Sequence, residues 1–289
     1  MKRKIGLASL ILIIVVVIFV KYFISDGIST SSKLKEEVTA SYGINVDSLK
    51  YDGDIISANV IYNNGPIDCE VGIIIFVNGI SQPYYTDKHE EAYLIPYKLT
   101  KNTNKTIKIN FKPKVGAKDK KLSIEIGSML NPSYTSDKFY GNNQKVFFLE
   151  PYTLTCKNDS NNNIVFFDDF KLNRIKEESK NNLNFNVLQG NKVVNKIKIN
   201  NNRLKCTISL YGKEEQYILS AYINHKIVPL FSGLYYAKID STKENTSTIP
   251  IDFNISGVNL NKYNSFYIIA IPTKSNDRAN KIDTILIEK

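Results

Sequence analysis

Alternating apolar and polar residues predict short β-strands through most of the chain. Residues 55–62 (IISANVIY), 106–111 (TIKINF) and 122–126 (LSIEI) alternate as half-buried strands do, and residues 145–150 (KVFFLE) are typical of a closing strand. Residues 71–77 (VGIIIFV) form a continuous apolar run, which indicates a strand covered on both faces or a twisted inner strand. The sequence lacks the long apolar stripes at helical spacing that packed helices need. The pattern therefore predicts an all-β chain folded as a sandwich, with Gly, Asn and Pro turns between the strands.

An internal repeat indicates two copies of one domain. Residues 217–230 (YILSAYINHKIVPL) follow residues 71–84 (VGIIIFVNGISQPY), with Asn224 in the place of Asn78. The other corresponding segments are 204–212 with the strand and glycine turn that end at Gly65, 247–253 with 105–111, 267–271 with 122–126, and 284–288 with 146–150. Elements that recur in the same order point to a duplication. We expect a first domain at 35–150 and a second at 151–289, with extra leading strands in the second.

The segment FVNGISQPYY at residues 76–85 contains the clearest turn signal in the chain. Asn78-Gly79 predicts a hairpin, since both residues tolerate positive φ. The second copy repeats the asparagine and the later proline but has Leu-Phe in place of Tyr84-Tyr85. The shared part is therefore explained by the hairpin. The unshared part, which includes Tyr84, Tyr85 and His89, is a candidate binding segment.

These turns and strands resemble bacterial extracellular immunoglobulin-like modules of the adhesion type. The residues that carry the resemblance are Asn64-Gly65, Asn78-Gly79, Thr106 to Phe111 and Lys112-Pro113. The second copy departs from the pattern, because Asn224-His225 replaces the Asn-Gly turn and no proline follows its T-I-x-I-x-F strand. The resemblance implies two tandem immunoglobulin-like β-sandwich domains and a binding or spacer role. It brings no catalytic residues with it.

The N-terminal segment predicts a single transmembrane helix. Basic residues at 2–4 precede an apolar stretch at 5–24, which is long enough to cross the hydrocarbon core if Lys21 extends its amine to the interface. The positive-inside rule then makes residues 1–25 a cytoplasmic tip and signal-anchor, and places residues 26–289 outside the cell membrane. Residues 26–34 are expected to form a short stalk. The alternative is a cleaved signal peptide, for which Ser25-Asp26-Gly27 is a poor cleavage site.

The net charge of +10 overstates the basic character of the extracytoplasmic part. Four of the 38 basic residues lie in the N-terminal segment, which leaves 34 against 28 acidic residues. Such a surface would attract anionic wall polymers or lipid headgroups, although an AT-rich coding bias is the simpler explanation of the excess. Five lysines in the segment 112–121 are candidate contacts to such a polymer, with a solvated loop as the alternative; they are Lys112, Lys114, Lys118, Lys120 and Lys121. Nucleic acid is not an expected partner outside the cell.

Residues for catalysis are scarce in the sequence. The two histidines, His89 and His225, belong to no metal or nucleophile motif, and both are expected to be solvent-exposed. The acidic pairs Glu90-Glu91 and Asp168-Asp169 would point to opposite faces of a strand, so a shared site is not expected. No catalytic residue, metal ligand or cofactor is therefore predicted. The three cysteines allow one disulfide, between Cys156 and Cys206, or three buried thiols.

The expected function is that of an extracytoplasmic interaction module on a membrane anchor. Its partners would be the lipid bilayer, through residues 5–24, and another membrane or envelope protein. This describes a non-catalytic accessory subunit of an envelope assembly, such as an export or immunity transporter. The alternative is a cell-surface binder of glycan or anionic wall polymer, with an envelope hydrolase as a remote third reading.

Overall fold

A computed structural model describes residues 42–133, 145–161, 163–168, 171–174, 183–199, 201–231, 233–282 and 284–288. The predicted transmembrane segment 5–24 and stalk 26–34 lie outside these residues. All regular secondary structure in the described part of the chain is β-strand, which confirms the predicted all-β class. Across those same residues, we find no helix with the length and apolarity needed to cross a membrane.

Thirteen strands form a first sandwich from the N-terminal half of the described chain. They are β1 (Tyr42–Tyr51), β2 (Ile56–Asn64), β3 (Cys69–Val77), β4 (Ile80–Gln82), β5 (Tyr84–Thr86), β6 (His89–Ala92), β7 (Pro96–Leu99), β8 (Asn104–Phe111), β9 (Val115–Gly116), β10 (Lys121–Leu130), β11 (Val146–Phe148), β12 (Tyr152–Thr155) and β13 (Ser160–Asn161). Its outer sheet 1 has the order β1-β2-β8-β5-β6. Its inner sheet 1 has the order β11-β10-β3-β4, with β12 beside β10 and β7 beside β3, while β9 pairs with β13.

Thirteen further strands form a second sandwich. They are β14 (Phe166–Phe167), β15 (Lys171–Arg174), β16 (Asn184–Gln189), β17 (Lys192–Val193), β18 (Lys196–Lys198), β19 (Arg203–Tyr211), β20 (Glu215–Ile223), β21 (Lys226–Val228), β22 (Tyr236–Ser241), β23 (Asn245–Asn254), β24 (Tyr263–Pro272), β25 (Asn280–Lys281) and β26 (Ile285–Glu288). Inner sheet 2 has the order β14-β22-β20-β24-β26-β18, with β21 beside β20 and β25 beside β24. Outer sheet 2 has the order β15-β23-β19-β16-β17.

The core of each sandwich comes from the alternation seen in the sequence. In the first sandwich, Val60 and Tyr62 of β2 lie in one buried cluster with Ile73 and Ile75 of β3. The successive residues of one face of a strand are two positions apart, so the alternating pattern of β2 supplies one wall of the core and leaves the other face outside. Burial of such side chains stabilises a fold by roughly 1.5–3 kcal/mol each.

The two copies of the repeat share the same hairpin turn as well as the same order of strands. In the first copy, the amide oxygen of Asn78 accepts a hydrogen bond from the Ser123 main-chain N–H at 2.9 Å. In the second copy, Asn224 accepts from the Ser265 main-chain N–H at 3.0 Å. Asn78 and Asn224 have φ values of 48° and 47°. The two hairpins therefore correspond as predicted. Their asparagines have the same main-chain conformation and make the same hydrogen bond to the neighbouring strand.

The pairing of β10 and β24 corrects two details of the predicted repeat. With Ser265 equivalent to Ser123, the segment equivalent to 122–126 is 264–268, three residues earlier than the predicted 267–271. β12 pairs with the β10 residues 121–124, and β26 pairs with the equivalent β24 residues 263–266. The counterpart of β26 is thus β12 and not the segment 146–150. Residues 152–155 are a strand of the first sandwich, beyond the predicted boundary at 150/151.

The inner sheets of the two sandwiches pack against each other, which produces four layers of sheet. Phe76, Met129 and Phe148 of the first sandwich belong to the same buried cluster as Tyr222 and Ile269 of the second. Inner sheet 1 is therefore covered on one side by its own sandwich and on the other by inner sheet 2. This explains why β3 is apolar at nearly every position, and it confirms the prediction of a strand covered on both faces.

Candidate functional site

A cleft of about 380 Å³ opens where the two inner sheets meet. Residues from both sandwiches line it: Ser81, Tyr93 and Leu94 from the first, and Tyr222, Asn224, His225, Lys226 and Ile227 from the second. The Tyr222 hydroxyl is hydrogen-bonded to the Ser81 side chain at its base. The Tyr222 ring stacks on Tyr267, with centroids 5.1 Å apart and planes at 11°. The floor of the cleft is thus an aromatic pair from two neighbouring strands of the second sandwich.

His225 is part of this contact and not the exposed residue that the sequence predicts. Its Nδ1 lies 3.1 Å from the Tyr267 hydroxyl, and the ring is also hydrogen-bonded to the main chain of Pro132 in the first sandwich. Burial and, to a smaller extent, the nearby Lys281 ammonium together lower the pKa of His225 to about 4. A neutral imidazole whose polar atoms are already engaged is suited to fixing the two sandwiches together.

Glu125 is a buried carboxyl at the same inter-sandwich interface. Its side chain is 1% exposed. It accepts a hydrogen bond from the main chain of Ala279 in the second sandwich. Its Oε2 has no hydrogen-bond partner among the described residues. Burial raises the pKa of Glu125 to about 7; Glu150 adds to the rise and Lys121 opposes it. The sequence predicts an outward-facing residue here, because LSIEI alternates and nothing in it reveals a second sheet on that face.

Tyr84 and Tyr85, both predicted binding residues, have different environments. Tyr84 is 0% exposed, and its hydroxyl accepts a hydrogen bond from the main-chain N–H of Ile95 at 3.2 Å. Burial raises the pKa of Tyr84 well above its ordinary value. Tyr84 is therefore a core residue, which corrects its assignment as a binding residue. Tyr85 points to the other face of β5 and is half-buried.

His89 lies at a groove of about 290 Å³ on the edge of the first sandwich. The groove is lined by Thr86, Asp87, Lys88, His89, Tyr97, Lys105, Thr106, Ile107 and Lys108. The ring of His89 meets the ring of Tyr97 edge-on, with centroids 5.8 Å apart. Lys105 Nζ lies 5.7 Å from the centre of the same tyrosine ring and donates to the Lys98 carbonyl at 2.8 Å. His89 is exposed, as predicted, but it lies beside a basic groove.

The five lysines predicted as a polymer contact engage different partners. Lys112 forms an ion pair with Asp54, and Lys114 donates to the Tyr93 hydroxyl. The Lys118 main-chain N–H donates to Asp159, Lys120 accepts through its carbonyl from the main-chain N–H of Cys156, and Lys121 donates to Asn276. Their contacts spread from the first sandwich to the second. The segment 112–121 is accordingly held at several separate points, two of them through main-chain groups, and its contact with an anionic polymer stays a prediction.

The other residues considered for chemistry do not assemble into a site. Glu90 and Glu91 are both exposed on β6, Asp168 is exposed, and Asp169 lies outside the described residues. The three thiols are free, with Cys156 in the core cluster of the first sandwich and Cys206 in that of the second. Within the described ranges, no group of three or more His, Cys, Asp or Glu side chains is placed to hold a metal ion. Cys156 and Cys206 are thus buried free thiols in separate cores and not the predicted disulfide, while Cys69 is half-buried.

No family model and no characterised protein matches the chain in sequence. Among solved structures, red sea bream transglutaminase is 8% identical with a TM-score of 0.23, and the match covers 90% of this chain and 34% of that chain. A protein of unknown function from Porphyromonas gingivalis W83 is 10% identical with a TM-score of 0.27, over 86% of this chain and 99% of that one. The CsuC–CsuE chaperone–tip adhesion subunit complex of Acinetobacter baumannii is 12% identical with a TM-score of 0.24, over 85% and 98%. At these TM-scores, none of the three bears on function.

Proposed function

We propose that this protein is a membrane-anchored extracytoplasmic interaction module, built from two immunoglobulin-like β-sandwich domains on one N-terminal transmembrane helix. It serves as a non-catalytic partner subunit of a membrane or envelope assembly, such as an export or immunity transporter. The observation that carries this proposal is the packing of the two inner sheets against each other. A partner that touches both sandwiches meets one rigid body. The surface that this protein offers to the partner is therefore already organised before binding.

The contacts across this interface support a rigid body. Arg278 forms an ion pair with Glu150, and Lys121 donates to Asn276 at 2.8 Å. These exposed contacts contribute little energy, on the order of 1 kcal/mol or less each. The buried part is more important: a Cβ at Gly79 would lie 2.7 Å from Ile218 Cδ1, so the first hairpin fits closely against inner sheet 2. Preorganised surfaces bind with a smaller loss of conformational entropy than mobile ones.

The resemblance of the turns to surface immunoglobulin-like modules and the basic-then-apolar N-terminus support the proposed location. A chain with residues 26–289 outside the membrane would have both sandwiches available to other envelope proteins.

Protease treatment of intact cells tests this function directly. The full-length chain, tagged at its C-terminus, should stay with the membrane fraction after a high-salt wash, and added protease should digest the tag and the sandwiches in intact cells. Chemical cross-linking on intact cells should then join the chain to a membrane or envelope protein. Full protection of the tag in intact cells, with digestion only after lysis, would show that the folded part lies inside and would overturn the proposal.

A further inference from the structure

Strand β8 has a free edge over its first half. The main-chain N–H of Asn64 donates to the Thr103 carbonyl at 2.9 Å, which fixes the phase of the ladder between β2 and β8. In an antiparallel ladder, alternate residues direct both main-chain groups to the same neighbour. Lys105 and Ile107 therefore face β2, and Thr106 and Lys108 direct their N–H and C=O groups to the opposite edge.

The neighbour on that edge leaves β8 after one residue pair. β5 is paired with β8 only at Tyr85 and Asn110. A continued ladder would place Asp87 opposite Lys108, but the hairpin to β6 turns there, at Asp87-Lys88. Among the described residues, the main-chain groups of Thr106 and Lys108 have no hydrogen-bond partner. The groove of about 290 Å³ is the space left by this departure.

The charge around this edge is positive. Lys88, Lys105 and Lys108 line the groove, with Asp87 as the carboxylate in the same lining. None of the three lysines forms an ion pair within the described part of the chain. The hydrogen bond from Lys105 to the Lys98 carbonyl holds one of these cations beside the groove. Unpaired cations next to a free strand edge favour an extended ligand that carries acidic side chains.

We propose that this groove binds an extended, acidic segment of a partner protein, which adds as a strand to the free edge of β8. The proposal rests on the proposed function, since it names the kind of segment that the partner supplies. The main-chain groups of Thr106 and Lys108 give the incoming strand up to four ladder hydrogen bonds, and the lysines select its acidic side chains. A second copy of the same edge is a poor occupant, because lysine would then face lysine.

A pair of synthetic peptides separates strand pairing from simple charge attraction. One peptide has eight alternating glutamate and valine residues, and the other has the same sequence with every main-chain nitrogen methylated. Only the first has the N–H groups that a ladder needs. The full-length chain in a mild non-ionic detergent should bind the first peptide at least about tenfold more tightly than the second. Amide exchange at Thr106 and Lys108 should slow in the presence of the first peptide.

Charge reversal locates the site. The double variant Lys105→Glu and Lys108→Glu should weaken binding of the first peptide by about tenfold or more, because two attractive contacts become repulsive. Lys108→Glu alone is the second variant, since Lys108 is exposed and its change leaves the packing of Lys105 against Tyr97 intact. The matched control is Lys238→Glu with Lys243→Glu, two exposed lysines of the second sandwich, which should leave affinity unchanged.

Three outcomes overturn the inference. Binding of the methylated peptide and of polygalacturonate as tightly as the first peptide would show a polyanion site without strand pairing. Equal losses in the groove variants and the control variants would show attraction to overall charge. Absence of binding by the first peptide would reject an acidic strand as the occupant. None of these results changes the outcome of protease treatment on intact cells, so the proposed function and this inference fail separately.

Discussion

Replacing Glu125 with glutamine should remove a pH dependence of stability that originates at the inter-sandwich interface. The carboxyl is 1% exposed, and its Oε2 has no hydrogen-bond partner in the described part of the chain. Glutamine keeps an oxygen that can accept the hydrogen bond from Ala279, and it has nearly the same volume. The substitution therefore changes the ionisation of this position while it preserves the packing.

The size of the effect follows from the raised pKa. Burial raises the pKa of Glu125 from an ordinary 4.5 to about 7. The folded chain then binds the proton more tightly than the unfolded chain, so the free energy of unfolding is largest below pH 4.5 and decreases as the pH rises to about 7. The loss corresponds to at most about 3 kcal/mol. Above pH 7, Glu125→Gln should be more stable than the wild type by up to this amount, and near pH 4 the two should be nearly equal.

Urea unfolding between pH 4 and pH 8 measures this difference. The full chain can be followed in a mild detergent by tyrosine fluorescence, since it has 18 tyrosines and no tryptophan. Parallel pH profiles of the wild type and Glu125→Gln, or a variant less stable at every pH, would refute the reasoning.

A second glutamate provides a control of opposite sign. Burial raises the pKa of Glu215, but hydrogen bonds from Ser275, Lys274 and Gln216 outweigh it, and the pKa lies below its ordinary value. Its carboxylate accepts from the main-chain N–H groups of Lys274 and Ser275, both at 2.9 Å. This contribution to stability is present above pH 4.5 and is lost as the pH falls through the lowered pKa. Glu215→Gln should therefore destabilise the chain at pH 7, where Glu125→Gln stabilises it.

Two further substitutions, each with a matched control, test the fit between the sandwiches and the core of the first sandwich. In urea unfolding, Gly79→Ala should lower the free energy of unfolding by about 2–4 kcal/mol, because φ is +80° and the new Cβ would lie 2.7 Å from Ile218 Cδ1. The control Gly190→Ala has open space around the new Cβ and should cost about 1 kcal/mol or less. Equal costs at the two glycines would contradict the close fit of the hairpin. Tyr84→Phe should cost about 1–3 kcal/mol, since it leaves a buried N–H without its acceptor, and Tyr85→Phe should stay within about 0.5 kcal/mol. A silent Tyr84→Phe would place that hydroxyl outside the core.

The sequence predicts the strands and the turns well, because both depend on neighbouring residues. The alternation in β8 and the continuous apolar run in β3 are local signals, and Asn78-Gly79 adopts positive φ at both residues, as the predicted hairpin requires. The repeated order of the strands can also be recognised from the sequence alone. These features need no knowledge of which strand lies beside which.

The features that the sequence does not predict depend on contacts between distant segments. The alternation in residues 152–155 indicates a strand, but the sequence does not show that this strand pairs with β10. Glu125 looks like a surface residue until a second sheet covers it. The free edge of β8 arises because β5 turns away after one residue pair. No pattern within residues 104–111 predicts this turn.

The packing of the two inner sheets also bears on the symmetry of the interface. Phe76 of β3 and its counterpart Tyr222 of β20 lie in one buried cluster, so equivalent strands of the two copies meet at the interface. A contact in which the same patch of each partner meets the other is the mark of a twofold symmetric dimer. The interface therefore has the form of a twofold symmetric contact between the two halves of one chain. The symmetry does not extend to the chemistry of every position, because Glu125 of the first half corresponds to Tyr267 of the second.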